Sequence, residues 1–316
     1  MADKMTKVKQ IAKQYWTILK DAGNGFSDDK GMKLSSALAY STIFSLPPML
    51  LLVIVFGGAF YGQDAVQGKI FHELNGIVGA TTATQIQDVI KGLQAAKGSM
   101  AATIIGAAAL VMGATGIFVE IQDSLNMIWG VRPRAKKGFV KLVLNRLMSF
   151  SMIIGLGFLM IVSLIVNTLL LALSGYILRF FPYLPINLIS VINTAVIFFV
   201  ISFLFSVIFK MLPDVRIKWK QVWPGSFVTA GLFILGKWVI GIYISNNNTV
   251  SLYGAASSII ILLLWIYFSA AILYFGAEFT RAYIEYHGKT IEPNSYAEYT
   301  EKRQLLQLKK AQETNS

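Results

Sequence analysis

Six apolar runs, each long enough to cross a lipid bilayer, constrain this chain more than any other feature. They occupy residues 34–61, 100–129, 147–173, 186–209, 222–244 and 252–280 of a 316-residue sequence. Crossing the hydrocarbon core takes about 20 apolar residues in a helix. Within it every backbone N–H and C=O must be bonded internally, which leaves helices and closed barrels. Barrel strands run about 9–11 residues with alternating polarity, and nothing in these runs alternates. The expected fold class is therefore all-α: a polytopic membrane protein with six transmembrane helices. Charge content supports this, at 14% of residues against about 25% in soluble domains. A soluble chain of this composition would expose large apolar patches to water. A disordered chain, a disulfide-stapled scaffold (the sequence has no cysteine) and a soluble enzyme are excluded.

The segments outside the spans divide the chain into three parts. Residues 1–33 are polar and lysine-rich, with Val8, Ile11, Ala12, Tyr15, Ile18 and Leu19 spaced as one face of an amphipathic helix. No cleavable signal is expected, because the first apolar run starts late and is long, so it reads as a signal anchor and first span. Residues 34–284 form the six-helix transmembrane domain. Within it, 62–99 is an extracytoplasmic segment whose apolar spacing suits one or two further amphipathic helices. Residues 285–316 form a hydrophilic cytoplasmic tail with an end expected to fray.

Basic residues set the orientation. The N-terminal segment, the loops after the second and fourth spans, and the tail from Arg281 together hold 23 of the 28 Lys and Arg. The opposite side holds Lys69, Lys91, Lys97 and Arg179, and Lys237 falls inside a span. Positive charge stays inside, so both termini are expected in the cytoplasm. Trp16, Trp129, Trp219 and Trp223 fall at the cytoplasmic interface as aromatic anchors. The expected partners of the basic face are anionic lipid headgroups. Nucleic acid is not expected, since the charges form no groove interleaved with aromatics.

A few polar groups inside the spans are the candidates for function. In the second span Ala102, Gly106, Ala109, Gly113 and Gly116 form a small-residue stripe, which permits close helix contact. The same face continues to Glu120 and Asp123, with Asn126 close behind. These acids are either helix-end caps paired with Arg132 or Arg146, or a substrate- or proton-linked site. Glu278 and Arg281 near the end of the sixth span are one turn apart, placed to pair with each other or with the acids of the second span. Pro47-Pro48 removes two amide donors in mid-membrane and frees the carbonyls of Ile43 and Phe44, with Ser45 at hand. Such breaks can build ligand sites, although a simple kink is the commoner outcome. Lys237 reads as a buried counter-ion for an acid more readily than as a snorkelling side chain.

Catalytic constellations are not visible. The two histidines, His72 and His287, fall on expected opposite sides of the membrane, and no metal-ligand cluster, nucleophile elbow or phosphate loop is present. No catalytic residue, metal or cofactor is expected.

Four stretches carry a family resemblance: SALAYSTIFSLPPMLLL (36–52), DSLNMIWGVRPR (123–134), LPDVRIKWKQVWPGSF (212–227) and YGAASSIIILLLWIYFSAAILYFGAEFTRAY (253–283). Together they resemble the YihY/BrkB family of bacterial inner-membrane proteins, over roughly residues 34–283. The family's Asn-x-Ile-Trp-Gly motif corresponds to Asn126, Ile128, Trp129 and Gly130, and its closing motif to Leu263–Tyr267 and Gly276–Glu278. The resemblance implies six transmembrane helices with cytoplasmic termini. The family once carried a ribonuclease BN label, for which these residues supply no metal ligands. Other family associations are with virulence, serum resistance and transport of lipid or envelope components.

The leading expectation is a transporter of a lipid-like or amphipathic envelope solute, with a cavity lined by Ser45, Glu120, Asp123, Lys237 and Glu278. The alternative is a non-transporting envelope scaffold built as a solid bundle. A tRNA-processing ribonuclease is the remote alternative.

Overall fold

A computed structural model describes residues 2–61, 100–134, 186–246 and 256–301, with residues 303–305 and isolated positions between 67 and 88. The third expected span, at 147–173, and most of 62–99 lie outside the described residues. The elements are α1 (Ala2–Asp28), α2 (Gly31–Tyr61), α3 (Met100–Ile128), β1 (Val131–Pro133), α4 (Ile186–Met211), β2 (Val215–Arg216), α5 (Trp219–Asn246), α6 (Ala256–Tyr286), β3 (Glu292–Pro293) and β4 (Ala297–Tyr299). Five of the expected spans thus coincide with long helices, within a mainly helical chain. Two windows, Trp219–Ile240 and Ile260–Tyr286, are long and apolar enough to cross a membrane, and only 28% of each is buried inside the protein. Their outer faces carry Leu235, Trp238, Val239, Ile260 and Phe268. A helix that is apolar on its outside as well suits a lipid solvent.

Close packing follows from small residues at crossing points. On α3, a Cβ placed on Gly113 would lie 3.0 Å from Cγ of Pro48, and one on Gly116 would lie 2.7 Å from the Ser45 hydroxyl. The glycine stripe therefore receives the Pro-Pro segment of α2. The pairs run in opposite order along the two helices, which makes them antiparallel. α2 itself is one helix through Pro47 and Pro48, although neither residue has an amide to donate one turn back.

α5 and α6 interlock by a reciprocal device. A Cβ on Gly225 would collide with the Thr280 hydroxyl, and a Cβ on Gly276 with that of Thr229. Each threonine hydroxyl donates to a backbone carbonyl of its own helix, Thr229 to Gly225 at 2.7 Å and Thr280 to Gly276 at 2.8 Å. The polar atom is thus satisfied inside its helix, as apolar surroundings demand.

Two short ribbons close one end of the bundle. β1 pairs antiparallel with β4, and β2 with β3. This brings the described parts of the basic segments after α3, after α4 and after α6 to a single end. Residues 287–301, the first part of the expected polar tail, fold across that end. Beneath it lies the main apolar cluster, with Leu125, Trp129, Phe209, Val222, Tyr274 and Ile291 among its buried members. α1 packs its Ile18 and Ala22 against Phe279 of α6 in a second cluster.

Candidate functional site

Polar side chains concentrate at the ribbon end, and the local chain geometry explains how they get there. α1 and α2 are separated by a turn in which Lys30 takes a left-handed conformation, φ 56°, uncommon for a residue with a Cβ. The turn presents Asp29 to α6. Arg281 there donates to Asp29 Oδ2 at 3.0 Å and to the backbone carbonyl of Ile128 at 2.6 Å. Its other terminal nitrogen is 2.7 Å from Glu278 Oε2. The carbonyl of Ile128 is one of the orphans left at the end of α3, so one guanidinium ties α3, α6 and the α1–α2 turn together. Gly25 of α1 lies against this cluster, and a Cβ there would sit 2.5 Å from both the Arg281 guanidinium and the Glu278 carboxylate.

A second knot joins α3 to the loop after α4. Asp214 is buried and its two carboxylate oxygens accept from Gln122 Nε2 at 3.0 Å and Asn126 Nδ2 at 2.9 Å. The Asp214 amide returns a bond to Asn126 Oδ1 at 2.8 Å, so the Asn126 amide reads both groups of one residue. The Asp214 carbonyl then accepts from the Asn294 amide at 2.9 Å. The knot thereby reaches the segment after α6.

These contacts account for the whole Asn126-to-Gly130 motif. Asn126 grips Asp214, Ile128 offers its carbonyl to Arg281, and Trp129 is fully buried in the core. Gly130 ends α3 in a left-handed conformation, φ 69°, with Arg303 against it. Its carbonyl accepts from the Thr300 amide at 2.9 Å.

The remaining candidates are dispersed. Glu120 is half-buried beside Tyr274, whose hydroxyl is fully buried within reach of Ser124 and Glu120. Asp123 is exposed rather than on the packed face, because the stripe rotates out of the α2 contact before the helix ends. Ser45 is buried against Gly116, and Pro47 belongs to α2, with the ring of the adjacent Pro48 against Gly113. Lys237 points outward next to Trp238 and is no buried counter-ion. Trp129, expected as an interfacial anchor, is in the core. Arg132, an expected partner of the α3 acids, instead pairs with Glu298 at 3.0 Å and Glu301 at 3.6 Å. Arg146 lies outside the described residues. A groove of about 840 Å³ lies at the ribbon end between the end of α4 and the segment after α6, and none of the five expected lining residues borders it.

Residues 22–299 match the family described as Virulence factor BrkB. The chain belongs to that family. Among its relatives, a UPF0761 membrane protein of Stenotrophomonas maltophilia is 25% identical over 282 residues, covering 87% of this chain and 63% of the relative. A UPF0761 membrane protein of Aeromonas salmonicida is 28% identical over 271 residues, covering 83% and 87%. One from Pseudoalteromonas translucida is 26% identical over 260 residues, covering 80% and 81%. The chain thus spans less than two thirds of the Stenotrophomonas protein and most of the other two. No solved structure matches it. This BrkB-family chain is a membrane protein, and its outward apolar faces suit a lipid solvent.

The sequence pointed to Asn126, Glu278 and Arg281 but passed over their partners Asp214 and Asp29. Asp214 sits within the LPDV stretch already singled out, and its Pro-Asp pair at a helix exit was the available signal. Asp29 had none beyond its place in a run of polar residues.

Proposed function

We propose that this protein crosses the bacterial inner membrane six times, keeps both termini in the cytoplasm, and transports a lipid-like or amphipathic envelope solute without covalent catalysis. Anionic headgroups of membrane lipids are its partners at the cytoplasmic face. The gathering of the basic segments at the ribbon end supports this orientation, since positive charge is retained inside. Glu120 carries the transport reading. It is a half-buried carboxylate eight residues before the end of α3, and among the described residues it has no ion pair or hydrogen bond. An ionisable group kept inside a span without a counter-ion is costly unless it works.

Proteoliposome flux and lipid-scrambling assays test the reading, comparing wild type with Glu120→Gln and Asp123→Asn. Loss of flux in Glu120→Gln is the expected result, and unchanged flux in both variants removes the site. Topology is testable separately, because the chain has no cysteine. Ala2→Cys and Gln307→Cys should label only after permeabilisation, and Thr249→Cys from outside.

A non-transporting scaffold is the second reading. The Asp29–Arg281–Glu278 cluster and the outward Lys237 favour it, because they remove three of the charges a solute path would use. Absence of flux from well-folded wild type would select it. Metal-dependent RNA cleavage by the purified protein would instead revive the remote ribonuclease alternative.

A further inference from the structure

The arginines that lock the ribbon end are all engaged: Arg132 with Glu298, Arg281 with Asp29, Arg303 with Glu285. The groove of about 840 Å³ beside them is different. Lys210, Arg216, Lys218 and Lys289 line it, and among the described residues none of the four is in an ion pair. Glu292 is the one acid of the lining, so the wall stays strongly positive. Lys210 is in the last turn of α4, where the helix carbonyls already favour a cation. Arg216, Lys218 and Lys289 have no such assignment. Among the described residues these three cations have no acid within ion-pair distance, with Glu292 opposite Arg216 in the β2–β3 pairing, and an anion bound among them lowers their mutual repulsion.

A second observation places that anion at a membrane surface. Trp219, the first residue of α5, lines the groove and stacks on Phe203 of α4, ring centres 6.4 Å apart and planes 3° from parallel. Both rings are exposed. Exposed Trp on the outside of membrane helices marks headgroup depth, so the groove opens where lipid phosphates lie. The N-terminus of α5 adds the positive end of a helix dipole to the same wall.

We propose that the groove formed by Arg216, Lys218, Lys289 and Trp219 is a binding site for the net-anionic phosphate headgroup of a membrane lipid, as in a phosphomonoester, rather than for a zwitterionic one. The site holds a phosphate ester by three cations while Trp219 rests at the glycerol level. Its volume is that of a small-molecule pocket, large enough for a headgroup. The proposal rests on the membrane placement of α4 and α5 and not on transport. Loss of flux in Glu120→Gln leaves it untouched, and loss of headgroup binding leaves the Glu120 reading untouched.

The test uses the full chain in a neutral detergent, titrated calorimetrically with short-chain phosphatidic acid and with phosphatidylcholine. Phosphatidic acid should bind the more tightly. Arg216→Gln, Lys218→Gln and Lys289→Gln combined should weaken that binding by about a hundredfold, at about fivefold per cation. Arg132→Gln, which removes a paired cation at the same end, should change it less than twofold. Lys289→Glu alone should weaken binding by about tenfold or more, and decides the matter if the triple variant does not fold. Displacement of the lipid by an equal concentration of pyrophosphate would retain the phosphate site but make its ligand a soluble one. Equal binding of the two lipids, or wild-type affinity in both the triple variant and Lys289→Glu, overturns the proposal.

Discussion

Thr229 of α5 occupies the notch that Gly276 of α6 leaves, so closely that a Cβ on that glycine would overlap the threonine hydroxyl. The same exchange recurs one turn along the pair, between Thr280 and Gly225. Helices in lipid gain nothing by hiding apolar surface from their neighbours, so contact of this closeness is what holds them. Gly276→Ala should destabilise the protein by about 1–3 kcal/mol, as overpacking does. Adding Thr229→Gly should recover part of the loss, since it empties the space the new methyl enters. Thermal unfolding in detergent of the two single variants and the double variant measures the coupling.

Arg281 serves three partners, and its loss strands the carboxylate of Glu278, whose side chain is 1% exposed. Arg281→Met should cost about 3–5 kcal/mol, the usual range for an ion left unpaired in an interior. Arg281→Met combined with Glu278→Met should be milder, because the more deeply buried of the two carboxylates left by Arg281 goes too. A double variant as damaged as the single one would show that the Ile128 carbonyl and Asp29 contacts carry the stability instead.

Asn126 holds Asp214 by two bonds and is worth more than one hydrogen bond. Asn126→Ala should cost about 1–3 kcal/mol for the acceptor and donor left without their partner. Asn126→Asp should be worse at neutral pH, because it sets a second carboxylate against that of Asp214, and should recover as the pH falls and the pair takes up a proton. Melting temperature followed from pH 8 to pH 4 separates the two variants.

Tyr296 lines the groove, and burial with the nearby Asp214 charge holds its phenol above the ordinary tyrosine range, while the Asn294 hydrogen bond acts weakly the other way. The folded protein then keeps the phenolic proton more tightly than the unfolded chain. Stability from this group is complete below the unfolded value of about 10 and declines as pH rises above it. Tyr296→Phe should flatten the alkaline slope of the melting temperature relative to wild type between pH 9 and pH 11.

Lys237 points away from the bundle, so Lys237→Gln should shift stability by no more than about 0.5 kcal/mol and leave any flux unchanged. A large loss in either would restore the buried counter-ion expected from its position in the span.

Length and periodicity alone announced the long apolar helices, the small-residue stripe of α3 and the pairing of Glu278 with Arg281. These are local properties: a helix is a run of one solvent preference, and residues three apart share a face whatever surrounds them. The basic segments likewise named their common side before the ribbons brought them to one end. What the sequence could not supply was which way each polar side chain faces across a crossing. Only the packed helices decided that Gly113 and Gly116 receive Pro48 and Ser45. The same packing turned Asp123 and Lys237 outward. Asp29 and Asp214 became partners of Arg281 and Asn126 from distant parts of the chain, because chain ends close enough to satisfy orphaned backbone and buried charge exist only once the bundle has formed.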